Sequence, residues 1–514
     1  MHGWSVVAWL GKKDICPLCV DCGMEKDGGE NIFDRRVSRR KAVSTAVAAG
    51  AVVGVGIIAG VGGYLAGSAT GGVRTETKTV TAGAQTVTTT VTIPTTMVQT
   101  TTVERTIGRR EPVTVKVNWW PGPESDAIAK VLDRWNKHLA EETGVKGELV
   151  LFGRETHVDK LTSILLAGSP ELDIVFEFYL VGKLAPYLEP LDAYFADESL
   201  YPYTLADYFP AAIDAFKVDG KIYGVPTDLG VHVLIYRKDL IEKPPATLDE
   251  LSELARKFTK KYNPDSPTDY GFIVSGKTLL FNAMLWESIL ASAGGTPFEP
   301  GKELKAVEDL TGPAAKRALQ LYVDFMKNEI SPPDSIAYEY GEANAAFQAG
   351  KAAMYVQWNA AIGELRDREK SPLVWDKVGI APIPGVRLAD GSVLHRSHSH
   401  YLGYSINKAS QHKREAFKLL AYLTTTRAML DYLKFGGFPP MRSVFYMPEA
   451  SKLRTEIPEL IPILDKYAFP MTNHPEVFTI YDILVKHISA AWSGQTSVDD
   501  ALKAAQEELR QLLK

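Results

Sequence analysis

Three sets of residues in this chain carry side chains able to do chemistry. Cys16-Pro-Leu-Cys19-Val-Asp-Cys22 is a compact thiol cluster holding all three cysteines of the 514 residues. C-x-x-C is half of a zinc site, but tetrahedral zinc needs a fourth ligand, His2 or one from another subunit, and an iron–sulfur cluster lacks the same ligand. The alternative is a plain extension ahead of an export signal. His395-Arg-Ser-His398-Ser-His400 contains spacings that can ligate a metal, though a surface loop or hydrogen-bonded cleft edge is the favoured expectation. Glu177 with Glu124 or Asp228 could flank a glycosidic bond as an acid–base pair, but sequence supplies no separation between them.

The elements that must position these groups follow from hydrophobic periodicity. Val113–Trp120 alternates as a half-buried strand, Gly147–Phe152 gives a second and Asp173–Phe178 a third. Helical patterns through Ala127, Val131, Leu132, Trp135 and Leu139 and over His157–Leu166 separate them. Strand, helix, strand, helix, strand predicts a covered, mostly parallel sheet, whose ligands gather beyond the carboxyl ends of the strands. Trp119, Trp120, Glu177 and Tyr179 lie near such ends. Further on, Val231–Tyr236 and Ala353–Gln357 read as strands, and Thr247-Leu-Asp-Glu250 is a capping box that starts a helix. Helices are expected over Phe281–Ala293, Glu342–Ala349, His412–Thr424 and Val498–Leu513.

A formal charge of −5 and a pI near 6.1 disfavour a nucleic-acid partner, which calls for a basic face. Residues 42–66 contain no Asp, Glu, Lys, Arg or His, and they follow Arg39-Arg40-Lys41. Twenty-five residues of helix suffice to cross a hydrocarbon layer of roughly 30 Å, and the basic flank belongs on the cytoplasmic side. The run is expected to be either an uncleaved anchor or a cleaved export signal of the twin-arginine type. Fifteen of residues 71–107 are Thr, which reads as an extended stalk, with a Thr-rich edge hairpin as the alternative. The exported part holds no Cys and must fold by core burial alone.

Five patterns then occur in a specific order. They are Leu166-Ala-Gly-Ser-Pro170-Glu-Leu-Asp173, Gly220-Lys-Ile-Tyr223-Gly-Val-Pro226 with Leu234-Ile-Tyr236-Arg-Lys-Asp239-Leu240, Phe347-Gln-Ala-Gly350-Lys-Ala-Ala-Met354, Gly379-Ile-Ala-Pro382-Ile-Pro384-Gly385, and Gly437-Phe-Pro439-Pro440-Met-Arg442. Together, over residues 112–514, they resemble the extracellular solute-binding proteins of ABC importers, and within them the maltose/trehalose-binding group and archaeal surface-anchored members. The resemblance implies an α/β fold of the two-lobed periplasmic-binding-protein-like type (type II), behind an N-terminal transmembrane or signal segment and a Thr-rich stalk. It implies a cytoplasmic tail at 1–41, a membrane or signal segment at 42–66 and a linker at 67–111. One lobe would take 112–228 and 355–408, the other 229–354 and 409–514. It further implies a carbohydrate ligand, of di- or oligosaccharide size, and no cofactor or catalysis. Its partners would be a permease in the membrane with ATPase subunits acting from the cytoplasm, and its place the outer side of the cytoplasmic membrane. A binder of oligopeptide or another small solute, and a surface-anchored glycoside hydrolase, remain the alternatives.

Sugars present apolar CH faces and many hydroxyls, so a sugar cleft needs flat aromatics beside a few fixed polar groups. The aromatic candidates are Trp119, Trp120, Tyr179, Trp286 and Trp358. The polar candidates are Glu124, Glu177, Asp228, Asn359 and Arg442. Trp119 and Trp120 are adjacent, so a persisting strand sends them to opposite faces. Trp286 lies on a helix between Leu285 and Ile289, where a core role competes with a stacking one. Trp358 beside Asn359 at a strand end is the preferred platform.

Overall fold

A computed structural model describes the backbone of Val73–Ala82 and Gln85–Pro94, and residues 111–514 apart from Phe178, Pro202 and Tyr203. The Cys16–Cys22 cluster and the uncharged run 42–66 lie outside the described residues. Within the Thr-rich segment, β1 (Val73–Ala82) pairs antiparallel with β2 (Gln85–Pro94), Val73 opposite Pro94 and Ala82 opposite Gln85. β-branched residues favour such a ladder. Over these residues the chain forms a two-stranded antiparallel hairpin. Residues 111–514 form a separate compact unit, and among the described residues no helix is long and apolar enough to cross a membrane.

That unit is built on one mixed sheet of nine strands. β3 (Val113–Trp119), β4 (Val145–Leu151) and β5 (Ile174–Glu177) come first, with β3 parallel to both others. A short hairpin, β6 (Lys217–Val218) with β7 (Lys221–Ile222), leads into β8 (Gly224–Arg237), the longest strand of the unit. β9 (Tyr270–Ile273), β10 (Ala352–Trp358) and β11 (Val378–Ala381) follow. A second hairpin, β12 (Val386–Arg387) with β13 (Val393–Leu394), precedes β14 (Ser397–Ile406) and then β15 (Ala468–Pro470).

β8 and β14 tie the sheet together. β14 pairs with β5 through Gly403–Ile406 and with β8 along Gly224–Val231. The remaining length of β8 pairs with β10 and β11, and β10 pairs with β9. The sheet thus has one half centred on β3, β4 and β5 and another on β9, β10 and β11. The expected boundary between 354 and 355 would split β10 and put β11 in the first lobe, whereas β10 pairs along its length with β8 and β9, and β11 with β8. The helices Lys413–Leu423 and Thr426–Lys434 were expected with the second lobe, yet they pack on β3, β4, β14 and the helix Pro123–His138. The helices Val477–Trp492 and Val498–Leu512 pack with Leu280–Ser292 and Pro313–Lys327 of the second half. Local pattern fixed each element; the lobe it joins depends on long-range pairing.

Physical chemistry explains the elements. Leu248–Lys257 starts at the anticipated capping box: the Glu250 amide donates to Thr247 Oγ1 at 3.2 Å, and Glu250 Oε2 accepts from the Thr247 amide at 3.4 Å. All seven residues of β10 are buried, as befits a strand covered on both faces. Leu280–Ser292 is buried nearly all round and serves as a core helix.

Candidate functional site

The site lies where β8, β10 and β14 run side by side. His400 is opposite Gly230, Leu402 opposite Asp228, and Trp358 opposite His232. Strand alternation puts Asp228, Gly230 and His232 on one face of β8, the face shared by Trp358, His398 and His400. Gly230 is there because of His400: a Cβ at residue 230 would come within 2.3 Å of the imidazole ring. Trp358 packs on this face, its ring centroid 3.7 Å from that of His232 and edge-on to His400 at 4.3 Å. Tyr179 meets His400 edge-on at 5.4 Å from beyond the end of β5. Tyr179 also holds φ at 56°, a left-handed conformation that costs a non-glycine residue about 1 kcal/mol or more.

Carboxylates reach the same neighbourhood from the other half. Glu177 ends β5 and is almost fully buried; it accepts hydrogen bonds from the backbone N–H groups of Leu180 and Val181. Burial outweighs those bonds and pushes its carboxyl up to about 8. Asp228 Oδ2 accepts from the Phe438 N–H at 2.7 Å and the Tyr432 hydroxyl at 2.9 Å. Burial, and then the charge of Glu124, raise it to about 8. Tyr179 is raised well above the phenol range by burial and then by Glu177 and Asp228, which places these groups within electrostatic reach of one another. His400 is pushed down to about 3 by burial and by His398, and His232 falls well below the imidazole range for the same reasons. Burial at this site favours the uncharged forms of these groups. On the second half, a cavity of about 180 Å³ is bounded by Trp358, Gln357, Phe281, Asn282, Leu285, Glu339 and Tyr340.

The structure brings together Glu124, Glu177, Tyr179, Asp228 and Trp358 from the expected set. Other candidates have packing roles. Trp119 is fully buried against Phe176 at 3.7 Å and Tyr404 at 5.1 Å. Trp120 is buried edge-on to Phe176 and His157. Trp119 therefore serves the core of the first half, and Trp120 packs on the same Phe176. Trp286 is fully buried within its helix, which decides between its two expected roles. Asn359 pins β10 to β8, its Oδ1 accepting from the Val231 N–H at 2.8 Å and its own N–H donating to the Val231 carbonyl at 2.9 Å. Arg442 pairs with Asp465 at 2.7 Å and donates to the Ala206 and Tyr208 carbonyls. Each is committed elsewhere.

His232 and Glu287 went unrecognised in sequence, whereas His398 and His400 stood out there as a metal-spaced cluster or cleft edge. β14 begins at Ser397, so His398 and His400 are strand residues and not a surface loop. The alternation Ser397-His398-Ser399-His400 was the available signal. Among the described residues, no three His, Cys, Asp or Glu are arranged to hold a metal.

One further motif was overlooked. Gly271-Phe-Ile-Val-Ser-Gly276-Lys277-Thr278 has the spacing of a phosphate-binding loop, and it runs from β9 into a helix. Such a loop needs free backbone N–H groups aimed at an anion. Here the N–H of Gly276 donates to Ser335 and that of Lys277 to Tyr338, while the N–H of Val274 donates to Ser331 Oγ. A Cβ at residue 271 would sit 1.7 Å from the Ala255 carbonyl oxygen, so that glycine serves helix–strand packing. The cradle is already filled by protein, and the match is one of spacing alone.

The profile of the family described as bacterial extracellular solute-binding protein matches residues 121–430. The mannitol-binding protein of Pseudomonas aeruginosa is 25% identical over 413 residues, covering 75% of this chain and 89% of its own. A probable amino-acid ABC transporter periplasmic-binding protein of Sinorhizobium fredii is 23% identical over 350 residues, 66% of this chain and 75% of its own. Among solved structures, maltose-bound T. maritima MalE3 superposes with a TM-score of 0.63 at 24% identity, covering 78% of this chain and 99% of that one. Profile, relatives and fold agree: the chain belongs to the family of bacterial extracellular solute-binding proteins.

Proposed function

We propose that this protein captures a carbohydrate or polyol outside the cell and delivers it to the permease of an ABC importer. One observation carries the reading: Trp358 and Tyr179 converge with Glu177 and Asp228 where the two halves of the sheet meet. An aromatic ring suits the CH face of a sugar, and fixed carboxyl and backbone groups suit its hydroxyls. The mannitol-binding relative and the maltose-bound neighbour support that ligand class. A di- or oligosaccharide is the expected size. The name of the Sinorhizobium relative favours a second reading, an amino acid as cargo.

A ligand held by both halves stabilises the arrangement that brings them together, and a permease can distinguish that arrangement from the separated one. No proton transfer is required of Glu177 or Asp228 in this role. The uncharged run 42–66 would hold the protein at the outer face of the membrane, with the ATPases acting from the other side. Thermal-shift screening against mono-, di- and oligosaccharides, polyols, amino acids and short peptides, followed by calorimetry, tests the proposal. Saturable one-to-one binding of a carbohydrate or polyol without product release supports it. Sustained release of product from an oligosaccharide, abolished at one carboxylate, would establish a glycosidase instead.

A further inference from the structure

β10 outruns its neighbour on one edge. The ladder to β9 ends with Ile273 opposite Tyr355, whereas β10 continues to Trp358. On the other edge the chain stays joined to β8, the Asn359 N–H donating to the Val231 carbonyl at 2.9 Å. Successive N–H groups of a strand point to opposite edges, so the Trp358 N–H points to the edge that β9 has left. There it donates to Gln357 Oε1 at 3.0 Å. A backbone N–H can only donate, which fixes the side-chain amide: its oxygen is used and its NH2 is left over. Gln357 Nε2 has no hydrogen-bond partner, although the residue is only 1% exposed. Buried polar atoms are almost always paired, so these two unmet donors call for an acceptor.

Gln357 and Trp358 form one wall of the cavity described above. Phe281 and Asn282 bound it from the start of the helix Leu280–Ser292, and Glu339 and Tyr340 from the start of the helix Tyr340–Gln348. Asn282 is satisfied, its Nδ2 donating to the Lys277 and Tyr338 carbonyls at 2.8 and 3.1 Å. Of the two amides in the wall, Gln357 is the one with donors to spare. Phe281, Glu339 and Tyr340 are each partly exposed, so the cavity has a mouth between the two helix starts. Its volume of about 180 Å³ is below the roughly 300–1,000 Å³ of pockets that enclose a whole drug-sized ligand, so it seats one end of a ligand. The Glu339 carboxylate at the mouth opposes an anionic end group. We infer that this cavity is a subsite for one neutral end unit of the ligand, a sugar ring or the end of a polyol, and that Gln357 is specificity-determining, donating through Nε2 to an oxygen of that unit. This inference rests on the carbohydrate reading above and adds to it the place of one end of the ligand.

Calorimetry on the whole protein with maltose, D-glucose and D-mannitol, for wild type and Gln357→Glu, tests the subsite. The glutamate keeps an oxygen for the Trp358 N–H and replaces the amide donors with an acceptor at nearly the same shape. Whichever of the three binds best should bind at least about tenfold more weakly in Gln357→Glu. Side-chain amide NMR of the wild-type protein gives a second readout that needs no substitution. The two Gln357 N–H signals should shift at saturation and gain protection from exchange. If the compound binds Gln357→Glu as tightly as wild type, or saturates the wild type and leaves those signals unmoved, the inference is overturned while the carbohydrate reading stands; the donors are then met by water. A folded wild-type protein that binds none of the three overturns both.

Discussion

The two halves of the sheet bring different chemistry to the site. The half built on β3, β4 and β5 supplies Glu177, Tyr179, Asp228 and Glu124, with Glu177 and Asp228 accepting backbone N–H groups. The half built on β9, β10 and β11 supplies Trp358 and His232, flat rings whose polar atoms are few and fixed. Neither alone makes a carbohydrate site, since rings give contact area without orientation and carboxyls orient without area. The division also separates binding from stability. Trp358 reaches the shared face, whereas Trp286, in the same half, is sealed in the core.

The largest effect should come from that second tryptophan. Trp286→Ala should destabilise the fold by about 3–5 kcal/mol through the cavity it leaves. Denaturant unfolding would show it, while ligand affinity, corrected for the folded fraction, stays within about twofold. Trp358→Ala should do the opposite, weakening binding by about 2 kcal/mol or more in calorimetry, as expected of a buried aromatic anchor. If both variants lose affinity alike, the distinction between platform and core fails.

The carboxyl half can be challenged through pH. Glu177 and Asp228 have folded values near 8, well above ordinary carboxyl values of 4.5 and 3.8. Between those limits the folded state binds more protons than the unfolded one. The stability present at acid pH is therefore lost as pH rises through about 8. Melting temperature should fall from pH 5 to pH 9, and Glu177→Gln should make that fall shallower. A profile that rises over this interval, or one that Glu177→Gln leaves unchanged, would remove the dry carboxyl environment from the account. The smallest effect expected is from Arg442→Ala, about 1–2 kcal/mol of stability from the lost pairing with Asp465 and two carbonyls. Calorimetry should show its affinity unchanged; a lost affinity would return Arg442 to the binding residues.

Much of the fold was legible because its signals are local. The alternation of Val113–Trp119, the capping box at Thr247 and Glu250, and the apolar run of β10 specify their elements without reference to the rest of the chain. The site was legible in part. Strand ends pointed to Glu177, Tyr179 and Trp358, and local pattern could weigh Trp286 toward the core. Arg442 and Asn359 looked equally suitable in sequence, since their commitments to Asp465 and Val231 are contacts between distant segments. His398 was visible in its local cluster, but its neighbours were hidden for the same reason. Only the pairing of β8 with β14, and of β8 with β10, brings His232, His398 and Trp358 into one cluster.

The central claim is that the two halves jointly hold a carbohydrate or polyol on Trp358. Titrating wild-type protein and Trp358→Ala with the best sugar or polyol from the screen, by calorimetry with tryptophan fluorescence recorded in parallel, tests it most directly. The account predicts one saturable site in the wild type, a fluorescence change on binding, no product afterwards, and binding at least about tenfold weaker in the variant. A folded wild type that ignores every sugar and polyol but binds an amino acid or peptide would contradict it. So would a Trp358→Ala variant that binds the sugar as tightly as the wild type.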